Sequence, residues 1–180
     1  MSFRTEPVLA PSIEELAPPA WALALALLAA LIAQASFVPL LSIRGAFPSL
    51  VLVLVIWYAL HSGLREAALY GTLAGACEDA LAGTTGVAWM VSTAFVAVIA
   101  GALGAFPLSR TRTGSAAIVT LLTLVRFIMF LMVERLEGRP LVLITPHLHG
   151  VLWQSLFNAL LLALALTVQA RVVAQRAARH

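Results

Sequence analysis

The sequence predicts an all-α integral membrane protein built as a bundle of six transmembrane helices. Of the 180 residues, 62% are hydrophobic and 11% are charged, whereas about 25% of the residues in a typical soluble domain are charged. The mean hydropathy is +1.00, and several apolar runs are too long for an ordinary protein core. The length suits one such bundle and leaves no room for a second domain.

A polar, proline-rich tail, residues 1–19, precedes the first apolar run. It carries Glu6, Glu14 and Glu15 and lacks the basic start of a secretory signal, so we expect it to remain on the protein. Ser12 and Glu15 have the spacing of a capping box, which would allow a short helical turn. The composition favours a disordered tail.

Six apolar segments follow the tail, and we predict a transmembrane helix for each. A crossing needs about 20 residues, and the second and third segments fall short of this length. They could form a re-entrant pair, but the polar sequence HSGLRE between them can reach water, which favours two short helices. The six segments are residues 20–43, 47–60, 67–82, 87–108, 115–133 and 148–168.

Local signals support the segments in order. Pro18 and Pro19 precede the first segment, and Pro48 opens the second, where a proline suits the first turn of a helix. The third segment contains regularly spaced glycines. The fourth is apolar throughout, the fifth contains Arg126, and the sixth carries several polar side chains, including Asn158.

The arginines predict the orientation of the bundle. The net charge is +3, and the basic residues are scattered along the chain, so they indicate topology and not nucleic-acid binding. Six crossings place three arginines on one side, Arg44, Arg135 and Arg139. The other side receives seven: Arg4, Arg65, Arg110, Arg112, Arg171, Arg176 and Arg179. Because positive residues favour the cytoplasm, both termini should be cytoplasmic, with residues 20–170 as the membrane domain and residues 171–180 as a basic tail that can attract anionic lipids.

Gly71, Gly75, Asp79 and Gly83 recur every four residues and form one slanted stripe on a helix. Glycines on such a stripe allow another helix to approach closely, which is the main packing device in lipid. An ionised Asp79 in mid-membrane would cost roughly 2.5–3.5 kcal/mol, so it needs a partner, a proton or water.

Arg126 is the candidate partner of Asp79, because an arginine within a membrane normally faces inward and is paired. The alternative is that Glu78 and Asp79 are solvated separately at the membrane interface. In that case Arg126 would bind backbone carbonyls, Gln154 or Asn158. The sequence gives no reason for the second acid, Glu78.

Other polar and small residues predict less. Ala22, Ala26 and Ala30 form a second small-residue stripe, followed by Gln34, which could face another helix of the bundle or a partner. No metal site, cofactor site or catalytic residues are expected. The two histidines, His147 and His149, lack further ligands, the sequence has no nucleophile elbow or phosphate loop, and the single cysteine, Cys77, cannot form an internal disulfide.

Residues 47–86 resemble the core of the MreD family, the rod shape-determining membrane proteins of bacteria. The family pattern is a proline that opens an apolar helix, a short polar turn, and a helix with glycines that ends in G-x-x-x-D before a glycine-bearing loop. Many members have an acidic residue after the proline, where this chain has Ser49. The matching structural positions are Pro48, Gly71, Gly75, Asp79, Gly83 and Gly86.

The resemblance implies a non-catalytic scaffold in the bacterial cytoplasmic membrane. Family members belong to the elongasome, which directs lateral peptidoglycan synthesis and rod shape. They bind MreC and, through it, MreB, RodA and a class B penicillin-binding protein. The family is also similar in architecture to the substrate-binding S components of energy-coupling factor transporters.

That similarity supplies an alternative function, a small-molecule (vitamin-like) binding subunit of a transporter. Such a subunit needs a polar pocket. The candidate residues for this pocket are Glu78, Trp89, His147, His149 and Trp153.

Overall fold

The computed structural model describes residues 18–36, 46–83, 86–139 and 144–177, and all regular elements within them are helices. A short 3-10 helix, Pro107–Arg110, joins the fourth and fifth of the six α-helices. The α-helices are α1 (Ala20–Ser36), α2 (Leu50–His61), α3 (Leu64–Ala82), α4 (Ala88–Gly104), α5 (Arg112–Leu136) and α6 (Ile144–Ala177). Most of the predicted N-terminal tail, the end of the first predicted segment and the end of the C-terminal tail lie outside the described residues.

Side-chain caps explain where two helices begin. Helix α2 begins at Leu50, after Pro48 and not around it, because the Ser49 hydroxyl accepts a hydrogen bond from the backbone N–H of Leu52. Helix α5 begins three residues before the predicted start, because the Thr111 hydroxyl caps its first turn through the N–H of Gly114. Neither cap is apolar, so neither contributes to the hydropathy pattern that set the predicted boundaries.

Two of the described helical stretches are long and apolar enough to cross a membrane, by length and composition. They are Arg112–Leu136, which is α5, and His149–Arg171 within α6. Helices α1, α2 and α4 are apolar but have only 17, 12 and 17 residues. Helix α6, with 34 residues, is about 51 Å long and runs on into the predicted C-terminal tail.

Helix α2 contacts all five other α-helices, and α4 packs extensively against α2, α3 and α5. The closest neighbour of α4 is α3, and the two meet at glycines. A Cβ atom added to Gly75 would lie 2.6 Å from the Cα of Met90, and one added to Gly71 would lie 3.3 Å from the Cα of Ala94. Only glycine therefore allows the two backbones to approach to this distance.

The apolar interior consists of two adjoining clusters, and α2, α3 and α4 contribute to both. One cluster joins these helices to α5 and α6 through residues such as Ile56, Val96 and Leu122. The other joins them to α1, where the carbonyl of Leu23 also accepts a hydrogen bond from the hydroxyl of Tyr70 at 3.1 Å.

Polarity is distributed in the opposite sense to that of a soluble protein. Large apolar side chains cover the outside of the bundle, for example Leu25, Leu73 and Leu160, each more than half exposed. The interior holds buried ionisable side chains, Glu78 and Arg126. Exposure of so many large apolar side chains to water would be unfavourable. Burial of charged side chains in an apolar interior is tolerated only where the charges are paired.

Candidate functional site: a buried polar centre

Five of the α-helices and the N-cap of the sixth, α2, each contribute one polar side chain to a cluster that we call the polar centre. The cluster lies toward one end of the bundle, where α1, α3 and α5 approach their C-termini and α2, α4 and α6 have their N-terminal halves. Five of its six members are buried, and Gln34 is partly buried. The members are Gln34, Ser49, Glu78, Thr93, Arg126 and Asn158.

Arg126 is the hub of the polar centre. Its guanidinium forms a hydrogen-bonded ion pair with the carboxylate of Glu78. Its Nε donates to the Thr93 hydroxyl at 3.0 Å, and one terminal nitrogen donates to the Ser49 hydroxyl at 3.3 Å. A guanidinium has five N–H donors, and these contacts engage three of them. They join α5 to Glu78 on α3, to Thr93 on α4 and to Ser49 at the N-cap of α2.

Glu78 completes this network from α3. Besides Arg126, its carboxylate accepts hydrogen bonds from the Gln34 amide at 3.3 Å and from the Thr93 hydroxyl at 3.4 Å. The ion pair corrects the sequence-based assignment of Arg126 to Asp79. Asp79 follows one residue later on the helix, so it is rotated by about 100° away from α5.

Asn158 links α6 to the polar centre without contacting the charges. Its side-chain oxygen accepts a hydrogen bond from the Ser49 N–H at 2.8 Å, and its nitrogen donates to the Thr123 hydroxyl at 3.1 Å. The alternative partners of Arg126 considered from the sequence, Asn158 and Gln154, are therefore not the ones found. The hydroxyl of Ser49 takes that position instead.

Asp79 caps the N-terminus of α4. Its two carboxylate oxygens accept hydrogen bonds from the backbone N–H groups of Trp89 and Met90, at 3.0 and 2.8 Å. The residue in the local N-cap position, Val87, supplies no such bond. A carboxylate at a helix N-terminus satisfies free N–H groups and is stabilised by the helix dipole. Sequence reasoning missed this role because Asp79 lies nine residues before the first residue of α4.

The stripe and loop glycines bring Asp79 to that position. Gly83 ends α3 in the left-handed conformation, with φ of 66°, and its N–H binds the carbonyl of Asp79. Gly86 also has a positive φ, of 60°, and a side chain there would meet the carboxylate of Glu137, which accepts the Val87 N–H at 3.1 Å. The chain can therefore reverse direction tightly between α3 and α4.

Trp89 covers the guanidinium of Arg126. The Cζ atom of Arg126 lies 4.4 Å from the centroid of the Trp89 ring, and that ring lies 4.1 Å from the ring of Phe130. The contact is a cation–π interaction that excludes water from one face of the charge.

A cavity of about 570 Å³ adjoins the polar centre. Glu78 and Trp89, two of the residues predicted to form a pocket, line it, together with Gln154 and Arg126. Two other predicted pocket residues do not line it: the Trp153 indole instead donates a hydrogen bond to His149 at 3.2 Å. The side chain of His147 lies outside the described residues.

The predicted small-residue stripe of α1 is placed beside the bundle. Ala22, Ala26 and Ala30 are partly buried, and the next residue of the stripe, Gln34, turns inward to Glu78. Part of this stripe therefore serves contacts within the chain.

Comparisons of the chain with protein-family models, with curated proteins and with solved structures find no match. What the site can do must therefore be argued from its own residues. They provide a neutralised ion pair, a helix cap and an adjoining cavity.

Proposed function

We propose that this chain is a non-catalytic membrane scaffold of the bacterial elongasome, of the MreD type. In this proposal all six helices cross the cytoplasmic membrane, and both termini are cytoplasmic. The protein binds MreC and, through it, MreB, RodA and a class B penicillin-binding protein, and so supports lateral peptidoglycan synthesis and rod shape.

The observation that carries the proposal is that the buried and partly buried ionisable side chains bind other helices of the bundle. Glu78 and Arg126 bind each other and connect α3 with α5, and Asp79 binds the first turn of α4. The hydroxyls of Ser49 and Thr93 are engaged in the same network. Groups that would be candidates for chemistry in an enzyme hold helices together here, which suits a protein that binds partners.

The distribution of polarity supports a membrane location for the whole bundle. Lipid gives no hydrophobic driving force between helices, so bundles in lipid are held by close backbone contact and interhelical hydrogen bonds. The glycine contacts between α3 and α4 and the polar centre are devices of these two kinds. Helices α1 and α4, each of 17 residues, are about 26 Å long, which is close to the hydrocarbon thickness of a bilayer.

Helix α1 offers a surface for a partner's transmembrane helix. Its inward face, Leu23, Leu27 and Leu31, packs on the bundle. Its outward face carries large apolar side chains spaced four, three and four residues apart, the spacing of a helix–helix seam. This outward face consists of Trp21, Leu25, Leu28 and Ile32, all more than half exposed.

Depletion of the protein in a rod-shaped host tests the function. Cells should widen and lose the lateral pattern of wall insertion, and MreC should copurify with the protein from detergent extracts. Unchanged cell width and unchanged wall insertion after depletion would rule out the scaffold.

Cysteine crosslinking tests the surface. With Cys77 replaced by alanine, single cysteines at Leu25 and Leu28 should crosslink to MreC. Cysteines at Leu160 and Leu164, which are somewhat more exposed and lie on α6, serve as controls. Crosslinks that form from α6 but not from α1 would show that the partner binds at α6 and would contradict the assignment to α1.

A second candidate function is a small-molecule-binding membrane subunit of a transporter, and the cavity beside the polar centre favours it. A volume of about 570 Å³ lies within the usual range for small-molecule sites. Mass spectrometry of the gently purified protein tests this candidate. A bound molecule at one copy per chain, together with normal cell shape after depletion, would favour it over the scaffold.

A further inference from the structure

The cavity beside the polar centre is not needed by a scaffold that binds partner helices through its outer surface. Aromatic and aliphatic side chains form most of its wall, and the ion pair of Glu78 and Arg126 lies at its floor. A site with an apolar wall and a few convergent polar groups is the usual form of a small-molecule site.

The floor carries two charges that neutralise each other. The Glu78 carboxylate binds Arg126 and accepts two further hydrogen bonds, and the neighbouring carboxylate of Asp79 is turned to the N–H groups of α4. A ligand anion at the floor would approach Glu78, and a ligand cation would approach Arg126. Either ion would lose its hydration, and its counter-ion in the floor is already paired. The transfer of an ion into the cavity is therefore unfavourable.

Hydrogen-bonding groups remain available at the cavity. The amide of Gln154 lines it and makes no hydrogen bond with any other residue that the structure describes. Arg126 has N–H groups beyond the three that are engaged. Trp89, Phe127 and Phe130 supply aromatic faces and edges to the wall.

We propose that this cavity binds an uncharged aromatic amphiphile. Its ring packs among Trp89, Phe127 and Phe130, and its hydroxyl or amide group bonds to Gln154. The inference goes beyond the scaffold and also gives the second candidate function a class of ligand. It does not depend on a role in cell shape, because binding to the cavity is measured separately from the depletion experiment.

Three probes of nearly equal size test the charge preference: naphthol, naphthalenesulfonate and naphthylmethylammonium. Each is dialysed against the full-length protein in an uncharged maltoside detergent, with empty micelles in a parallel cell. Naphthol should bind saturably at one site, at least about tenfold more tightly than either ion, which corresponds to about 1.4 kcal/mol. Equal or tighter binding of an ion would overturn the proposal.

Substitutions on α6 locate the bound probe. Val151 is buried and lines the cavity, so Val151→Trp should fill the space and abolish saturable naphthol binding. Leu152→Trp adds a larger side chain at an exposed neighbour and should leave binding unchanged. Gln154→Leu keeps a similar volume and should weaken binding about fivefold to tenfold, the range for one lost hydrogen bond. Wild-type binding in both Val151→Trp and Gln154→Leu would place the probe outside the cavity.

A charge substitution tests the explanation. Glu78→Gln keeps the size of the side chain but leaves Arg126 without its direct counter-ion, so the preference should shift from naphthol toward naphthalenesulfonate. An unchanged order of the three affinities, in a variant that retains its helical circular dichroism, would show that the neutral floor does not set the selectivity.

Discussion

Glu78 and Asp79 are adjacent in the chain but serve different helices. Successive residues on an α-helix point about 100° apart, so Glu78 faces α5 and α1 while Asp79 faces the start of α4. The carboxylate of Glu78 binds the guanidinium of Arg126, and the carboxylate of Asp79 binds backbone N–H groups in the first turn of α4. The pair of acids therefore joins α3 to three neighbours at a single level of the bundle.

At the residue scale, Glu78→Leu should be among the most damaging substitutions. It leaves Arg126 buried without its counter-ion, and breaking a buried ion pair in this way typically costs about 3–5 kcal/mol. The double variant Glu78→Leu/Arg126→Leu removes both charges and should recover most of the loss. The measurement is reversible unfolding of the purified protein in mixed micelles.

The peripheral ion pair of Glu134 and Arg139 provides the control. It is partly exposed, with an N–O distance of 3.0 Å, so Glu134→Gln should cost no more than about 1 kcal/mol. A double variant at Glu78 and Arg126 that is no more stable than Glu78→Leu would contradict the explanation that the loss comes from the unpaired charge of Arg126.

Asp79→Ala should destabilise the protein by about 0.5–2 kcal/mol, the usual cost of a lost helix cap. Asp79→Asn keeps one acceptor oxygen and should show a smaller loss. Hydrogen exchange is the specific readout, because the amides of Trp89 and Met90 lose their acceptors and should exchange faster, while amides in the middle of α6 should not. Wild-type stability and exchange in both variants would contradict the capping role.

At the element scale, the contact between α3 and α4 depends on the absence of a side chain at Gly75. A Cβ atom there would lie 2.6 Å from the Cα of Met90 and 2.9 Å from its backbone nitrogen. Both opposing atoms belong to the backbone, so the helices must separate, and the N–H groups that Asp79 caps lie in the same turn of α4. The close approach and the cap are therefore coupled.

Gly75→Ala should lower stability by about 1–2 kcal/mol, because the overpacking cost exceeds the better helix propensity of alanine. Ala80→Leu adds more atoms to an exposed position of the same helix and should change stability by less than about 0.5 kcal/mol. Thermal unfolding followed by circular dichroism compares the two. A stabilised Gly75→Ala variant would show that α3 and α4 can pack without this contact.

At the scale of the whole molecule, the sequence predicts the helical class and the order of the six helices, because hydropathy reflects burial over many residues. It predicts the ends less well. Caps such as Ser49 and Thr111 are single side-chain bonds, and they do not change the hydropathy of a segment.

The candidate site was only partly predictable. The sequence predicts that Arg126 faces inward and has a partner, and the structure shows a buried, paired arginine. Which acid is its partner depends on which side of α3 faces α5. Glu78 and Asp79 point about 100° apart on the helix, so only one of them can face Arg126 directly. Ser49, Thr93 and Asn158 are small or neutral polar residues, common in many helices, and only the assembled bundle shows that they converge.

The orientation of the molecule gives the final prediction. The polar centre and its cavity lie toward the end where α5 finishes, and the arginine distribution predicts that this end lies outside the cytoplasm. Leu136 is exposed at the C-terminus of α5, and Phe106 is exposed just beyond the C-terminus of α4, at the opposite end of the bundle. In a variant lacking Cys77, a cysteine at Leu136 should react with a membrane-impermeant maleimide in intact spheroplasts, and one at Phe106 should react only after lysis. The reverse labelling pattern would turn the cavity toward the cytoplasm, and labelling of both cysteines before lysis would be incompatible with an intervening membrane-spanning α5.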